Sequence, residues 1–278
     1  MRLNIKFHKP SLLILLALST LLPACSAHPI KANSKPVAPA ENEFSLKKLK
    51  TKTLGNGKGE YRELSIATDS PLPTTFEMIA VKVNHYQASF YTQANPQTAA
   101  NVSTIGYEEK AFMAVNGGFF TPSFTPDGLF VENGKQISPE SQQPIFTAMV
   151  TINDQGQLNI GPGDMPYENA KFAIQAGPLL IDHSQMLVSK VNQFDQSATR
   201  TVLAESSDGQ LIVISTSDMS LYTLENILYA HPEWFGVQKI VTAVNLDGGK
   251  SSALYINNSQ AHRVLNGKNK VENILLFS

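Results

Sequence analysis

Two segments of this 278-residue chain carry a hydrophobic run into paired glycines: Ala114-Val115-Asn116-Gly117-Gly118 and Ala243-Val244-Asn245-Leu246-Asp247-Gly248-Gly249. Glycine loses the most backbone entropy on folding and packs nothing, so a pair of them at the end of a core strand asks for a reason. One reason is close approach: without side chains, consecutive N–H groups can converge on an anionic oxygen such as a phosphate. The other is a plain tight turn, for which Gly-Gly is a common dipeptide. Arg200 adds a permanently charged planar fork that matches two phosphate oxygens, and the Thr201 hydroxyl beside it is a further donor. An Arg at a strand start can equally pair with Asp195 or Glu205. Asp247 sits where the second run emerges into Gly248-Gly249, so its carboxylate can act on a ligand held there, or simply close the turn through its own backbone.

Other residues extend this set. Glu132 and Asp127 flank Gly128-Leu129 and are candidates for a second acid/base or for hydroxyl contacts, although Glu132 in a hairpin is equally a solvated residue. Asn116 suits a sugar hydroxyl or an N-acetyl group. Phe119 and Phe120 can stack on a sugar ring or fill the core, and Ser251 and Ser252 can donate to a ligand or open a strand.

Several other chemistries are disfavoured. Gly249-Lys250-Ser251 imitates the end of a P-loop, but Val244 stands where the motif needs its first glycine. There is no Gly-x-Ser-x-Gly and no His-Glu-x-x-His, and the 6 histidines are scattered. No ligand cluster calls for a metal, and no motif calls for a cofactor. A formal net charge of −1 with 16% charged residues gives no sign of nucleic-acid binding.

The elements that must position these residues read mostly as strands. Period-two alternation marks Tyr61–Ile66 and Met78–Val83. Further strand-like runs fall at 111–115, 129–131, 147–152, 172–174, 179–181, 201–204, 210–215, 239–244, 253–256 and 273–277. Turn chemistry at Asn133-Gly134 and Asn153–Gly156 predicts hairpins and antiparallel pairing. A helix is predicted from Ser220 to Ala230 with Leu221, Leu224, Ile227 and Leu228 on one stripe, and a weaker one at 98–102. The fold expected is α+β, a largely antiparallel β core with a few flanking helices in one domain from 60 to 278.

Ahead of that domain, Arg2, Lys6 and Lys9 precede an apolar run from Leu12 to Leu22, the layout of a secretory signal over 1–24. The lone cysteine, Cys25, follows Leu22-Pro23-Ala24, which resembles a bacterial lipobox apart from Pro23. Lipidation of Cys25 as the mature N-terminus is expected, with ordinary cleavage after Ala27 as the other reading. Residues 25–45 read as a flexible tether. Either route takes the protein out of the cytoplasm, to a periplasmic or outer-membrane lipoprotein of the cell envelope if Cys25 is acylated.

Five ordered motifs, Asn116-Gly117-Gly118-Phe119-Phe120, Gly128–Gly134, Ala176-Gly177-Pro178-Leu179-Leu180, Arg200-Thr201 and Asn245–Ser252, resemble those of the phosphodiester glycosidase family. The resemblance covers most of the domain. It implies hydrolysis of a sugar-1-phosphodiester of the N-acetylglucosamine-1-phosphate kind. Asp247, Arg200 and Glu132 would be the catalytic candidates, with Asn116, Gly117, Gly118, Thr201, Gly248, Gly249 and Ser251 at the substrate. Two alternatives stay open: cleavage at phosphorus in the same site, or a non-catalytic lipoprotein that binds an envelope glycan.

Overall fold

The computed structural model describes residues 43–188 and 196–278. The signal segment, Cys25, nearly all of the expected tether and Asp195 lie outside the described residues. The described residues belong to one unit, Pro36–Ser278.

In chain order the strands are β1 (Phe44–Leu54), β2 (Gly59–Thr68), β3 (Thr75–Val83), β4 (Ala88–Thr92), β5 (Met113–Asn116), β6 (Phe130–Glu132), β7 (Lys135–Ser138), β8 (Ala148–Ile152) and β9 (Leu158–Pro162). They continue with β10 (Phe172–Ala176), β11 (Leu179–Asp182), β12 (Gln185–Met186), β13 (Thr201–Ser206), β14 (Leu211–Thr216), β15 (Ile240–Asn245), β16 (Leu254–Asn258), β17 (Ala261–Leu265) and β18 (Asn273–Phe277). The two α-helices among the described residues are α1 (Val102–Glu108) and α2 (Leu221–Ala230). Neither is long and apolar enough to cross a membrane.

These strands form three antiparallel sheets. The first has eight strands in the order β1-β2-β3-β14-β13-β15-β11-β12; the second runs β7-β6-β10-β8-β9 and the third β17-β16-β5-β18-β4. The molecule is therefore β-dominated, and the expected α+β class is corrected. Two helices cover only part of the sheet surface, while most apolar faces are buried against other sheets.

Period-two alternation explains how. In the first sheet Ile79, Val81, Val213, Leu203 and Val244 point one way, into a core shared with Phe130, Val150 and Ile174 of the second sheet and Met113, Val115, Leu254 and Phe277 of the third. Their neighbours Met78, Ala80, Ile212, Ile214, Val202 and Ala243 point the other way, onto Leu221, Leu224, Ile227 and Leu228 of α2. A strand buried on both faces loses its polar positions, and so β13 and β14 read as continuous apolar runs. The smaller α1 covers the outer face of the third sheet through Val102 and Ile105.

The domain begins earlier than residue 60. β1 pairs with β2 along ten register positions from Phe44↔Thr68 to Leu54↔Gly59. It is an edge strand whose residues from Lys47 to Thr53 are exposed, and Lys47, Lys48, Lys50 and Lys52 hide its strand character while discouraging edge-to-edge association. The minor helix also lies later than expected, at 102–108 instead of 98–102. Asn133-Gly134 does make a tight turn with positive φ at both residues, 52° and 74°.

Candidate active site

The two glycine pairs meet. β5 and β15 each end in asparagine, and beyond them the Asp247 N–H donates to Gly117 O at 3.3 Å while Asn116 Nδ2 donates to Asp247 O at 2.7 Å. The other end of the Asn116 amide accepts from Thr201 Oγ1 at 2.7 Å and from Ala253 N–H at 3.0 Å. Asn116 is wholly buried, so its amide is a bracket that joins β5, β13 and the two turns. Asn273 on β18 does similar work: Gly117 N–H donates to its carbonyl at 3.0 Å and Gly118 N–H to its Oδ1 at 2.7 Å. A Cβ at Gly117 would stand 1.9 Å from Asn273 Oδ1, which gives the glycine a packing reason.

Around Asp247 lies a pocket of about 400 Å³, walled by Arg200, Asn245, Gly248 and Gly249, with Phe119 and Pro178 as apolar surface. Burial pushes the Asp247 carboxyl up from 3.8 to about 6; hydrogen bonds from Ser251 and from Gly248 N–H, the latter 2.8 Å, pull the other way and do not offset it. Asp247 forms no salt bridge among the described residues. A carboxyl perturbed in this way inside a cleft marks a candidate functional group.

Arg200 is buried on the wall, its Nε donating to Met219 O at 3.2 Å and its Nη2 to Gln196 O. Main-chain carbonyls therefore fix the plane of the guanidinium, with Nη1 toward Gly248. Asn245 is placed by donation from Nδ2 to Gly177 O at 3.0 Å and to Leu246 O at 2.7 Å. Two carbonyls require the NH₂ on that side, so the orientation of the amide is determined. Its Oδ1 is shielded and has no hydrogen-bond partner among the described residues, while the residue itself forms part of the pocket wall.

The residues singled out from sequence fall into three groups. Asp247, Arg200, Gly248 and Gly249 line the pocket, and Ser251, itself buried, stands behind Asp247 as its donor. Asn116, Thr201, Gly117 and Gly118 lie behind the pocket as the framework just described. The amides of both glycine pairs are engaged by the protein, Gly248 by the Asp247 carboxylate and Gly249 by Thr199 O at 2.8 Å, so no phosphate nest is formed by them here. Gly249 nonetheless needs its positive φ of 60° for the turn. Glu132 forms the third group. It is on β6 of the second sheet, accepts from Thr92 Oγ1 at 2.8 Å, and is not among the residues lining the pocket. Asp127 is likewise elsewhere, receiving the Gln143 amide at 3.2 Å. Phe119 stands at the pocket in edge contact with Phe146, while Phe120 packs on Phe124.

Asn245, on the pocket wall, sits inside the Asn245–Ser252 motif, and its signal in the sequence is an asparagine that ends a mostly apolar strand. No group of three or more His, Cys, Asp or Glu residues that could hold a metal occurs among the described residues.

Stacked antiparallel sheets with an acidic and a guanidinium side chain at the mouth of two clamped turns define the class, and comparison with known proteins defines the family. The family model described as NAGPA: Phosphodiester glycosidase matches residues 109–278. The chain belongs to the phosphodiester glycosidase family. It is similar to Uncharacterized protein YigE of Escherichia coli (strain K12), with 27% identity over 101 residues that cover 30% of this chain and 36% of that protein. Its fold is similar to the catalytic domain of zebrafish N-acetylglucosamine-1-phosphodiester alpha-N-acetylglucosaminidase auto-inhibited by its pro-peptide. That likeness has a TM-score of 0.60 and 18% identity over 82% of this chain and 87% of the other. A hypothetical protein from Synechocystis gives a TM-score of 0.58 with 16% identity, over 84% and 68%.

Proposed function

We propose that this protein hydrolyses the glycosidic bond of a sugar-1-phosphodiester, with Asp247 at the anomeric carbon and Arg200 at the phosphate. The observation that carries this reading is the Asp247 carboxyl, half-buried in a pocket beside a fixed guanidinium and with its pKa raised to about 6. The ionised carboxylate stabilises or attacks the oxocarbenium-like centre as the C–O bond to phosphate breaks. The departing phosphomonoester is already anionic, and Arg200 offsets its growing charge, so a second carboxyl group is not required at the leaving oxygen. Water supplies the hydroxyl that ends on the sugar, and its proton passes to solvent. Phe119 and Pro178, on the pocket wall, would supply apolar surface to the sugar.

The family supports a sugar phosphodiester as substrate, and the zebrafish relative's name adds N-acetylglucosamine-1-phosphodiesters to the first panel. The leader and Cys25 support an exported, lipid-anchored location from which an envelope polymer or exopolysaccharide would be reached.

The test is incubation of the protein with a panel of sugar-1-phosphodiesters and mass spectrometry of the products. Free sugar plus a phosphomonoester, absent with Asp247→Asn, is the expected result. Release of sugar-1-phosphate would move the cut to the P–O bond. Ligand binding without any product, unchanged by Asp247→Asn, would reduce the protein to a glycan-binding one.

A further inference from the structure

The pocket around Asp247 does not end at Gly249. It shares Ser197, Ala198 and Gly249 with a second depression of about 310 Å³, which in turn shares Thr199, Ser252 and Asn266 with a third of about 630 Å³. The saddle between the first two is rigid, because Thr199 Oγ1 donates to Gly249 O at 2.6 Å and Gly249 N–H donates back to Thr199 O.

The chemistry changes along this groove. Lys250 and Lys268 line its middle, both exposed, against the single acid Asp218. The Lys250 carbonyl accepts from Asn269 N–H at 2.9 Å, and around Lys268 the neighbouring side chains are engaged, Lys270 Nζ donating to Asn101 Oδ1 at 2.7 Å and Ser103 Oγ to Asn266 Oδ1 at 2.9 Å. The far part balances Lys48 and Arg263 against Glu63 and Glu77 and is rich in hydroxyls, those of Ser215, Thr216 and Ser217 among them. Ser252, at the junction, has a shielded hydroxyl with no partner among the described residues. A small neutral aglycone would use none of this. A cationic waist followed by a charge-balanced, hydroxyl-lined trough suits a polyol chain with an anionic group one unit beyond the scissile phosphate.

We propose that the groove is the aglycone site and that the substrate is a phosphate-bearing oligosaccharide, such as a fragment of a phosphodiester-linked glycan polymer, with its second phosphate between Lys250 and Lys268. This inference rests on the glycosidase reading for its name as an aglycone site, but the groove can be tested without turnover.

Titration calorimetry with a trisaccharide bisphosphate, the same trisaccharide bearing the 6-phosphate alone and inorganic phosphate would compare the wild type with a Lys250→Ala/Lys268→Ala double variant. The bisphosphate is expected to bind tightest, and the double variant to lose about tenfold for it alone, since exposed ion pairs are individually weak. In kinetics, the double variant should raise KM for a glycosyl phosphodiester whose trisaccharide carries the further phosphomonoester and leave kcat/KM for the methyl phosphodiester within about twofold, the size of an exposed-site change.

Bisphosphate binding no tighter than the 6-phosphate alone would overturn the proposal. Equal losses of the double variant on both phosphodiesters would do so too. No turnover of either substrate, with selective binding kept, would sink the glycosidase reading while supporting the groove.

Discussion

Asp247 combines two properties that usually exclude each other, burial and a charge needed for chemistry. With its carboxyl raised to about 6, kcat/KM should climb as pH passes through about 6 and level off above it, because the ionised form is the one that acts. A pH–rate profile that falls over the same range would assign Asp247 the role of acid. Asp247→Asn keeps an oxygen for Gly248 N–H and is expected to lower kcat by at least about 100-fold with the fold intact by circular dichroism. Glu272 offers a contrasting case outside the pocket. Burial, reinforced by the nearby Glu132, lifts it from 4.5 to about 7, against the hydrogen bond from Asn273. The folded state therefore keeps a proton that the unfolded chain releases, so stability is greatest below about pH 4.5 for this group, declines as pH rises toward 7, and is flat above. Glu272→Gln should remove that slope and raise stability at pH 8 by up to about 3 kcal/mol in denaturant titrations. Asn116→Ala should do the opposite. It strands the Asp247 carbonyl, the Thr201 hydroxyl and the Ala253 N–H, at a cost of about 2–4 kcal/mol by the same measurement.

At the scale of elements, the sequence was readable where burial is one-sided or where a cap is present. The alternation in β2 and β3 and the stripe of α2 are visible because each has a wet face, and Ser220 caps α2 by accepting from Thr223 N–H at 3.0 Å. Ser220→Ala should cost about 1 kcal/mol, a shift in unfolding midpoint small beside that of Asn116→Ala. β1, β4, β7, β9, β12 and β17 lack a clear strand signal, and all six are the edges of the three sheets, where fewer positions are buried. The candidate site was legible as residue types but not as roles. Arg200 and Asp247 stand out by charge next to glycine, whereas the work of Asn116 depends on partners 85 and 131 residues away. Glu132 and Asp247 are both acids beside a glycine turn, with Glu132 the secondary candidate. Only the placement of β6 in the second sheet separates them.

For the molecule as a whole, the pocket draws on segments around 119, 145, 178, 196–200, 221 and 245–249, so its lining is spread over more than a hundred residues of chain. The third sheet carries this dependence furthest, since β5 has β16 and β18 as its two neighbours. Asn273, which grips Gly118, comes 155 residues after it. A ribosome adds about 5–20 residues per second. For roughly 10–30 s of every synthesis, on that rate, β5 has neither neighbour available and the turn that supports Asp247 has no clamp. Through that interval the nascent chain is inactive and open, the condition in which a polypeptide can still be threaded through a membrane channel.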